Sequence, residues 1–154
     1  MVEEKYVGIE PQEADTVSSE FYAHRGLTKK TLEFYDIKTK LINGIPIETG
    51  FPYPQNRGVK IRSFEEKKFR SAGDMKDPDL FGMDRFDPGS LDSCTITAGE
   101  YDAPSVFQVT RGKTAAVSLP SGNLSQALKV CSKNYEWINS FKKIYICLDN
   151  DEVD

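Results

Sequence analysis

The last third of the chain alternates strand-like and helix-like segments, and this alternation restricts the fold more than any other feature of the sequence. We expect strands at 93–97, 115–119 and 143–148, with helices at 101–109 and 124–141 between them. Strands joined by a helix lie parallel through right-handed crossovers. The pattern therefore predicts an α/β unit built on a parallel sheet.

Acidic residues follow the last of these strands. After the apolar run 143–148, which we expect to be buried, the chain continues with Asp149-Asn150-Asp151. Carboxylates two positions apart at a strand end can face the same way and share one divalent cation. The alternative is a solvated acidic tail without chemistry. The position directly after a buried strand favours the metal site.

Two other turns are expected at the same edge, because ligands collect at the carboxyl ends of parallel strands. The turn after the first strand could present Glu100 or Asp102, although Asp102 could equally cap the following helix. The turn after the second strand contains Pro120-Ser121-Gly122, whose backbone amides could bind phosphate at a helix start. Many ordinary strand-to-helix turns have the same composition.

The N-terminal half has a different pattern. Residues 1–17 are polar and acidic, and we expect them to form a flexible arm. Thr28 is a plausible N-cap for a short helix from 29 to 35. Between 37 and 71, short β-type runs are separated by turn signals such as Asn43-Gly44, which predicts hairpins in a small antiparallel or mixed sheet.

One concentrated basic stretch lies among these predicted strands. Lys60 and Arg62 alternate onto the same face. The other basic positions of the stretch are Lys67, Lys68 and Arg70. Such a patch suits the phosphates of a nucleoside triphosphate or of a template strand. Because two glutamates interrupt it, a solvated charged surface is the alternative.

The composition argues against several classes of protein. No apolar run approaches the roughly 20 residues of a membrane-spanning helix, and the start of the chain lacks the pattern of a secretory signal. The formal charge of −4 does not favour an autonomous, non-specific DNA-binding protein. The scattered Cys94, Cys131 and Cys147 predict reduced, buried thiols of a cytosolic protein, and with a single histidine they argue against structural zinc.

Between residues 20 and 154 the chain carries short motifs in a characteristic order. They are Arg25-Gly26-Leu27-Thr28, Phe51-Pro52-Tyr53, Lys60-Ile61-Arg62 with Lys68-Phe69 and Gly73, Leu80-Phe81-Gly82, Gly99-Glu100-Tyr101-Asp102, Ser118-Leu119-Pro120-Ser121-Gly122, Asn134-Tyr135 and Asp149-Asn150-Asp151-Glu152. Each motif is weak alone. Together they resemble the primase half of the bifunctional primase-helicases of T7-like phages, which is built around a topoisomerase-primase (toprim) domain.

This resemblance implies synthesis of short RNA primers on a single-stranded DNA template from ribonucleoside triphosphates. By the same resemblance, Asp149 and Asp151 occupy the paired-aspartate positions that hold Mg²⁺ (or Mn²⁺), and Lys60, Arg62 and Lys68 bind nucleotide or template phosphates. The resemblance implies a helicase domain or protein as the partner. It does not imply a membrane. The implied location is the cytoplasm, that of the host cell if the protein is phage-encoded.

Two departures from the family pattern bear on activity. The leading Glu of the first-strand motif, the catalytic acid of toprim domains, is Ala98 here, and substitution for it by Glu100 is only a hypothesis. An alanine can neither bind metal nor move a proton. The toprim domain also continues with at least one more strand and helix, followed by a helicase domain, and none of this follows Asp154.

The expected organisation is a flexible arm (1–17), an α+β primase subdomain (18–92) and a partial toprim domain (93–154). We expect the partial toprim domain to be α/β with a Rossmann-like parallel sheet, truncated after its third strand. The leading functional hypothesis is a DNA primase segment, impaired as the chain stands. The alternative is a non-catalytic nucleic-acid-binding or assembly module that keeps the toprim fold, and Ala98 favours it.

Overall fold

A computed structural model describes residues 6–149, and the chain divides into two compact units between Lys76 and Asp77. The first unit contains an antiparallel sheet with one helix, and the second contains a parallel sheet with three helices. No helix in the described part of the chain is long and apolar enough to cross a membrane.

The sheet of the first unit has five strands. They are β1 (Val17–Glu20), β2 (Lys38–Ile42), β3 (Ile45–Pro52), β4 (Gly58–Ser63) and β5 (Phe69–Gly73). Each strand pairs antiparallel with the next along the chain, in the order β1-β2-β3-β4-β5. The predicted hairpins are confirmed. The sequence left open whether the sheet is antiparallel or mixed, and it is antiparallel.

Turn chemistry explains the tightest of these hairpins. Asn43 and Gly44, between β2 and β3, both have positive φ, at 52° and 79°. A two-residue turn of this kind matches the twist of the flanking strands and requires residues that tolerate the left-handed region. The Asn-Gly pair therefore specifies the β2–β3 connection.

In the first unit the α-helix α1 (Lys29–Tyr35) begins where the sequence predicts. Thr28 is the N-cap, and its side-chain oxygen accepts the backbone N–H of Thr31 at 3.3 Å. Asp36 ends the helix in the left-handed region, with φ 57°. Leu32 and Tyr35 are buried, as are Ile37, Leu41 and Phe51, which together form the core of this unit.

The described start of the chain lies beside β5. The backbone N–H of Tyr6 donates to the carbonyl of Phe69 at 2.9 Å, and the ring of Tyr6 is buried. Its neighbour Val7 is 84% exposed. The flexibility of residues 1–17 stays a prediction, but one residue of this segment is packed against the sheet.

The second unit has the parallel sheet that the alternating pattern predicts. Its strands are β6 (Ser93–Thr97), β7 (Thr114–Ser118) and β8 (Lys143–Cys147), in the order β7-β6-β8. Its helices are α2 (Asp102–Val109), α3 (Leu124–Lys133) and α4 (Tyr135–Asn139). The central strand β6 pairs with β7 on one side and with β8 on the other.

The prediction of one long helix at 124–141 is wrong, because the chain breaks at Asn134. This residue has φ −107° and ψ 24°, and its side-chain amide donates to Val130 O at 3.0 Å and to Asp79 Oδ1 at 3.2 Å. An asparagine side chain that bonds to the preceding turn and to a neighbouring loop competes with the helical hydrogen bonds. The helix therefore ends and a new one begins.

The expectation that 143–148 is buried is also wrong. All five residues of β8 are exposed, with Ile146 at 69%. The reason is position, since β8 is an edge strand that pairs only with β6 in the described structure. Cys147 is therefore exposed and Cys131 half-buried. Of the three predicted buried thiols only Cys94 is confirmed, and burial raises its pKa to about 12.

The segment 77–92 packs with the parallel sheet. Phe81 and Ser118 exchange backbone hydrogen bonds of 2.9 and 3.1 Å at the end of β7. The indole N–H of Trp137 donates to Phe86 O at 3.0 Å. These contacts explain why the units divide after Lys76 and not at residue 92, the limit expected from the sequence. The predicted limits of the functional domains stay predictions.

Replacing Thr28 with alanine tests the local origin of α1. The substitution removes the oxygen that accepts the Thr31 N–H, so we expect the free energy of unfolding to fall by about 1 kcal/mol. Chemical denaturation followed by circular dichroism measures the loss. Thr28→Ser keeps the oxygen and should retain most of the stability. Equal losses in the two variants would contradict the capping role.

Candidate functional site

Two cations and one aromatic ring form a cluster on the first sheet. Lys60 and Arg62 lie two positions apart on β4, and Arg62 is the cross-strand partner of Phe69 on β5. The Lys60 Nζ lies 5.1 Å from the centre of the Phe69 ring, and the Arg62 Cζ lies 5.6 Å from it. The predicted shared face of Lys60 and Arg62 is therefore confirmed. We call these three residues the basic–aromatic cluster.

This arrangement is suited to binding unpaired nucleic acid. Cations within about 6 Å of an aromatic ring are attracted to its face, which holds both side chains in place. Single-stranded nucleic acids are bound by combining basic side chains that contact phosphates with aromatic rings on which bases stack. The cluster offers both groups within one pair of strands.

The rest of the basic stretch is divided between two places. Lys68 lies just before β5, and its Nζ is 3.2 Å from the carboxylate of Glu66. Arg70 is the cross-strand partner of Ile61, so it lies on the face opposite Phe69. There it is paired with Glu48 at 2.7 Å. The stretch is thus not one continuous basic surface.

The second candidate surface is the edge where the parallel strands end. Thr97 of β6 is level with Ser118 of β7 and with Cys147 of β8. The turns that begin at Ala98 and at 119, and the residues after β8, therefore leave the sheet along one edge. We call this edge the strand-end rim. The N–H of Leu119 donates to Thr97 O at 2.9 Å, which ties the first two turns together.

The turn after β6 is compact and holds the nearest carboxylates to Ala98. The N–H of Asp102 donates to Gly99 O at 3.0 Å, and the Thr97 hydroxyl also donates to this carbonyl at 3.3 Å. Glu100 is buried, at 7% exposure. Gly99 leaves room for its neighbour, because a Cβ there would lie 3.0 Å from the Asp102 carboxylate.

The suggestion that Asp102 caps the next helix is wrong in detail. Tyr101 is the N-cap of α2, without a side-chain cap hydrogen bond, and Asp102 is the first helical residue. A carboxylate in the first turn is stabilised by the partial positive charge of the helix N-terminus. Asp102 therefore supports α2 through its charge.

The paired aspartates are only partly within the described chain. Asp149 follows β8 and is exposed, whereas Asp151 lies outside the described residues. Within residues 6–149, no group of three or more His, Cys, Asp and Glu side chains could hold a metal ion. The assignment of Asp149, Asp151 and Glu100 as catalytic or metal-binding residues stays a prediction.

The loop 77–82 is attached to β7 by a backbone pair and to α3 by an ion-pair network. Phe81 pairs with the last residue of β7, in the motif Leu80-Phe81-Gly82. Lys133 at the end of α3 lies 3.1 Å from Asp79 and 3.4 Å from Asp77, and its Nζ donates to Asp77 O at 2.8 Å. These contacts fasten the loop 77–82 to both elements.

Phe69 is a site residue for which the sequence predicts no role of its own. Its neighbour Lys68 was selected for its charge, but the side chain that meets both Lys60 and Arg62 is the ring of Phe69. The signal was available in principle, since a hairpin register that pairs Arg62 with Phe69 puts them on the same face. That register depends on the length of the turn, which composition alone does not set.

Comparison with known proteins shows that the chain is similar to phage primase proteins. No protein-family model matches the chain. A curated relative, the DNA helicase/primase of Enterobacteria phage T3, is 28% identical over 132 residues, which cover 84% of this chain and 23% of that protein. The chain thus spans less than a quarter of the length of this relative.

Two solved structures share the fold. The primase fragment of the bacteriophage T7 primase-helicase matches with a TM-score of 0.75 and 27% identity, over 87% of this chain and 56% of that one. A primase chain from a complex of the phage T7 lagging-strand DNA polymerase with two primase domains, an RNA/DNA hybrid and dTTP matches with a TM-score of 0.72 and 27% identity, over 88% of this chain and 61% of that one. In sequence and in fold, the chain resembles the primase half of the T7-like phage primase-helicases.

Proposed function

We propose that the chain is the primase part of a phage-type replication protein and acts in synthesis of short RNA primers on single-stranded DNA. The observation that carries this proposal is the shared fold with the phage T7 primase fragment at 27% identity, which extends over 87% of the chain. The proposed partners are single-stranded template, ribonucleoside triphosphates and a helicase domain or protein.

The basic–aromatic cluster is the proposed nucleic-acid surface of the first unit. Lys60 and Arg62 would contact phosphates, and Phe69 would stack on an unpaired base. Lys68 would add a further cation beside β5. A bound phosphate would compete there with the Glu66 carboxylate, with which Lys68 is paired. The formal charge of −4 makes such local positive charge important for an anionic ligand.

The strand-end rim is the proposed place of chemistry. Its donor set fits a hard divalent cation in part, because Asp149 brings a carboxylate to the end of β8 while Ala98 brings none to the end of β6. Asp149 and Asp151 would hold Mg²⁺ or Mn²⁺. When bound, such an ion neutralises triphosphate charge and activates the α-phosphate toward a primer hydroxyl.

The alanine at position 98 is the proposed cause of weak activity. It stands directly after Thr97, where the family has its catalytic Glu, and it offers no group that accepts a proton or binds metal. Loss of one positioned acid or base commonly costs a factor of 100 to 10,000, roughly 3 to 5 kcal/mol of transition-state stabilisation. The neighbouring Glu100 is buried in the turn, which makes replacement by it difficult.

We further propose that the parallel sheet is an incomplete toprim sheet in which β8 is an inner strand. The exposure of apolar residues on both faces of β8 supports this, since Ile144 and Ile146 point to one face and Tyr145 to the other. A groove of about 710 Å³ also opens beside β8, lined by Val106, Val109, Tyr145 and Cys147 among others. A further strand and helix would cover these side chains.

A non-catalytic nucleic-acid-binding or assembly module is the second candidate. Ala98 is the observation that favours it, because the cluster on the first sheet does not depend on the rim carboxylates. Such a module would bind single-stranded DNA without making primers.

Restoring the acid distinguishes the two candidates. In a chain extended to a complete domain, Ala98→Glu should raise primer synthesis by about 100-fold or more, because a carboxylate returns to the strand end. Oligoribonucleotide synthesis on single-stranded DNA with Mg²⁺ or Mn²⁺ measures it. Ala98→Gln has the same size without an ionisable group and should gain little. An Ala98→Glu protein that makes no primer would favour the binding module.

Charge removal in the cluster tests the proposed nucleic-acid surface. Arg62→Gln should weaken binding to a single-stranded oligonucleotide and lower the slope of log affinity against log salt by about 0.7, the value for one lost phosphate contact. Fluorescence anisotropy over a salt series measures both. Lys113→Gln is a matched control, since this exposed lysine lies in the second unit. Equal effects of the two substitutions would argue against a specific surface.

Thiol reactivity tests the place of β8 in the sheet. In the chain as it stands, the exposed Cys147 should react rapidly with a maleimide, while the buried Cys94 should not. In a longer chain with the additional strand and helix, Cys147 should become protected. Mass spectrometry of the labelled peptides measures the rates, with Cys94 as the internal reference. An unchanged rate at Cys147 would contradict the inner-strand assignment.

A further inference from the structure

Residues 6–10, which we call the strap, cross the first sheet on the face opposite the basic–aromatic cluster. The strap is fastened at Tyr6, whose N–H donates to Phe69 O at 2.9 Å and whose ring lies 5.9 Å from the guanidinium carbon of Arg70. The side chain of Tyr6 is 9% exposed, whereas Val7 points into solvent. Tyr6 thus anchors the strap, while the neighbouring Val7 side chain is exposed.

The strap passes directly over an ion pair. A Cβ on Gly8 would lie 3.1 Å from Nε and Nη2 of Arg70 and 3.3 Å from Oε2 of Glu48. These distances are shorter than ordinary van der Waals contacts, so an added Cβ would push the ends of the two side chains aside by a few tenths of an ångström. Gly8 therefore allows the strap to lie close to the ion pair.

The ion pair beneath the strap is buried on its Glu48 side, while the Arg70 side chain is partly exposed. Arg70 Nη2 donates to Glu48 Oε1 at 2.7 Å, Lys40 Nζ lies 4.0 Å from the same oxygen, and Glu48 is 7% exposed. Burial, together with the neighbouring Glu48, raises the pKa of Tyr6 to about 12, so its ring stays neutral at ordinary pH. Shielded pairs of this kind fix side-chain geometry more firmly than exposed ones.

The strap and the cluster meet at the start of β5. Phe69 and Arg70 are consecutive, so their side chains point to opposite faces of the sheet. At the edge of the sheet the strap binds the Phe69 carbonyl, and on one face the Tyr6 ring lies near the Arg70 guanidinium. On the other face the Phe69 ring contacts Lys60 and Arg62. Among residues 6–149, β5 is an edge strand that pairs with β4 alone, and the strap supplies its second attachment.

We propose that Tyr6 and Gly8 are positioning residues for nucleic-acid binding: the docked strap fixes the start of β5 and thereby holds Phe69, Lys60 and Arg62 in their binding arrangement. The inference rests on the proposed function insofar as the cluster binds single-stranded nucleic acid. Movement of the strap thereby changes the affinity of side chains on the opposite face of the sheet.

The experiment compares Tyr6→Ala and Gly8→Ala with the unchanged chain in binding a single-stranded oligothymidine across a salt series. We expect affinity to fall about fivefold or more, with the slope of log affinity against log salt reduced by about 0.7 to 1.4, the equivalent of one or two phosphate contacts. Tyr6→Phe retains the ring and should restore both values. Val7→Ala changes an exposed side chain of the same segment and should have no effect.

A second measurement does not require any ligand. Amide hydrogen exchange by NMR should show faster exchange at Ile61 and Arg70, the cross-strand pair next to Arg62 and Phe69, in Tyr6→Ala and Gly8→Ala, while amides of the second unit stay as protected as before. A variant that is merely less stable would lose affinity through its folded fraction with an unchanged salt slope, and would lose protection throughout the first unit.

The outcomes separate the two ideas. If the unchanged chain binds the oligonucleotide and the strap variants match it in affinity, salt slope and exchange, the strap inference is overturned and the proposed function stands. If the unchanged chain does not bind at any salt concentration, the proposed function fails and the functional part of this inference fails with it.

Discussion

The pairing of β6 with a neighbour on each side is the constraint on which the strand-end rim depends. Backbone hydrogen bonds on both edges of this strand set Thr97 level with Ser118 and Cys147. Two turns and the residues that follow β8 must then leave the sheet at one edge, whatever their side chains are. The rim is therefore a product of strand register, and a substitution in a turn can alter its chemistry without moving it. An alanine at position 98 is compatible with the fold for this reason.

Much of this arrangement follows from local sequence signals, because the signals agree with the tertiary structure. Thr28 caps a helix at the expected residue, and Asn43-Gly44 makes the expected tight hairpin. The alternation of strands and helices after residue 92 is likewise reflected in a parallel sheet. In each case the deciding interaction is between residues a few positions apart, or follows from a periodicity that one segment carries by itself.

The features that the sequence did not reveal depend on distant partners. Asn134 breaks a helix because Asp79, 55 positions earlier, offers it a hydrogen-bond acceptor. The apolar composition of β8 predicts a buried strand, but all five of its residues are exposed. Burial requires neighbours on both faces, and composition does not say whether they are present. The division of the basic stretch between two faces follows from hairpin register, which brings Arg70 to Glu48 and Phe69 to Arg62.

The two outer edges of the parallel sheet differ in how readily a further strand can pair with them. Phe81 hydrogen-bonds to Ser118 on the outer side of β7, so the end of that edge is already occupied by the chain itself. β8 has exposed apolar side chains on both faces of the sheet. In the described structure its outer edge pairs with no further strand. An unprotected edge of this kind recruits whatever extended chain is nearby. Any strand that joins this sheet, from its own polypeptide or as an aggregate, should add beside β8.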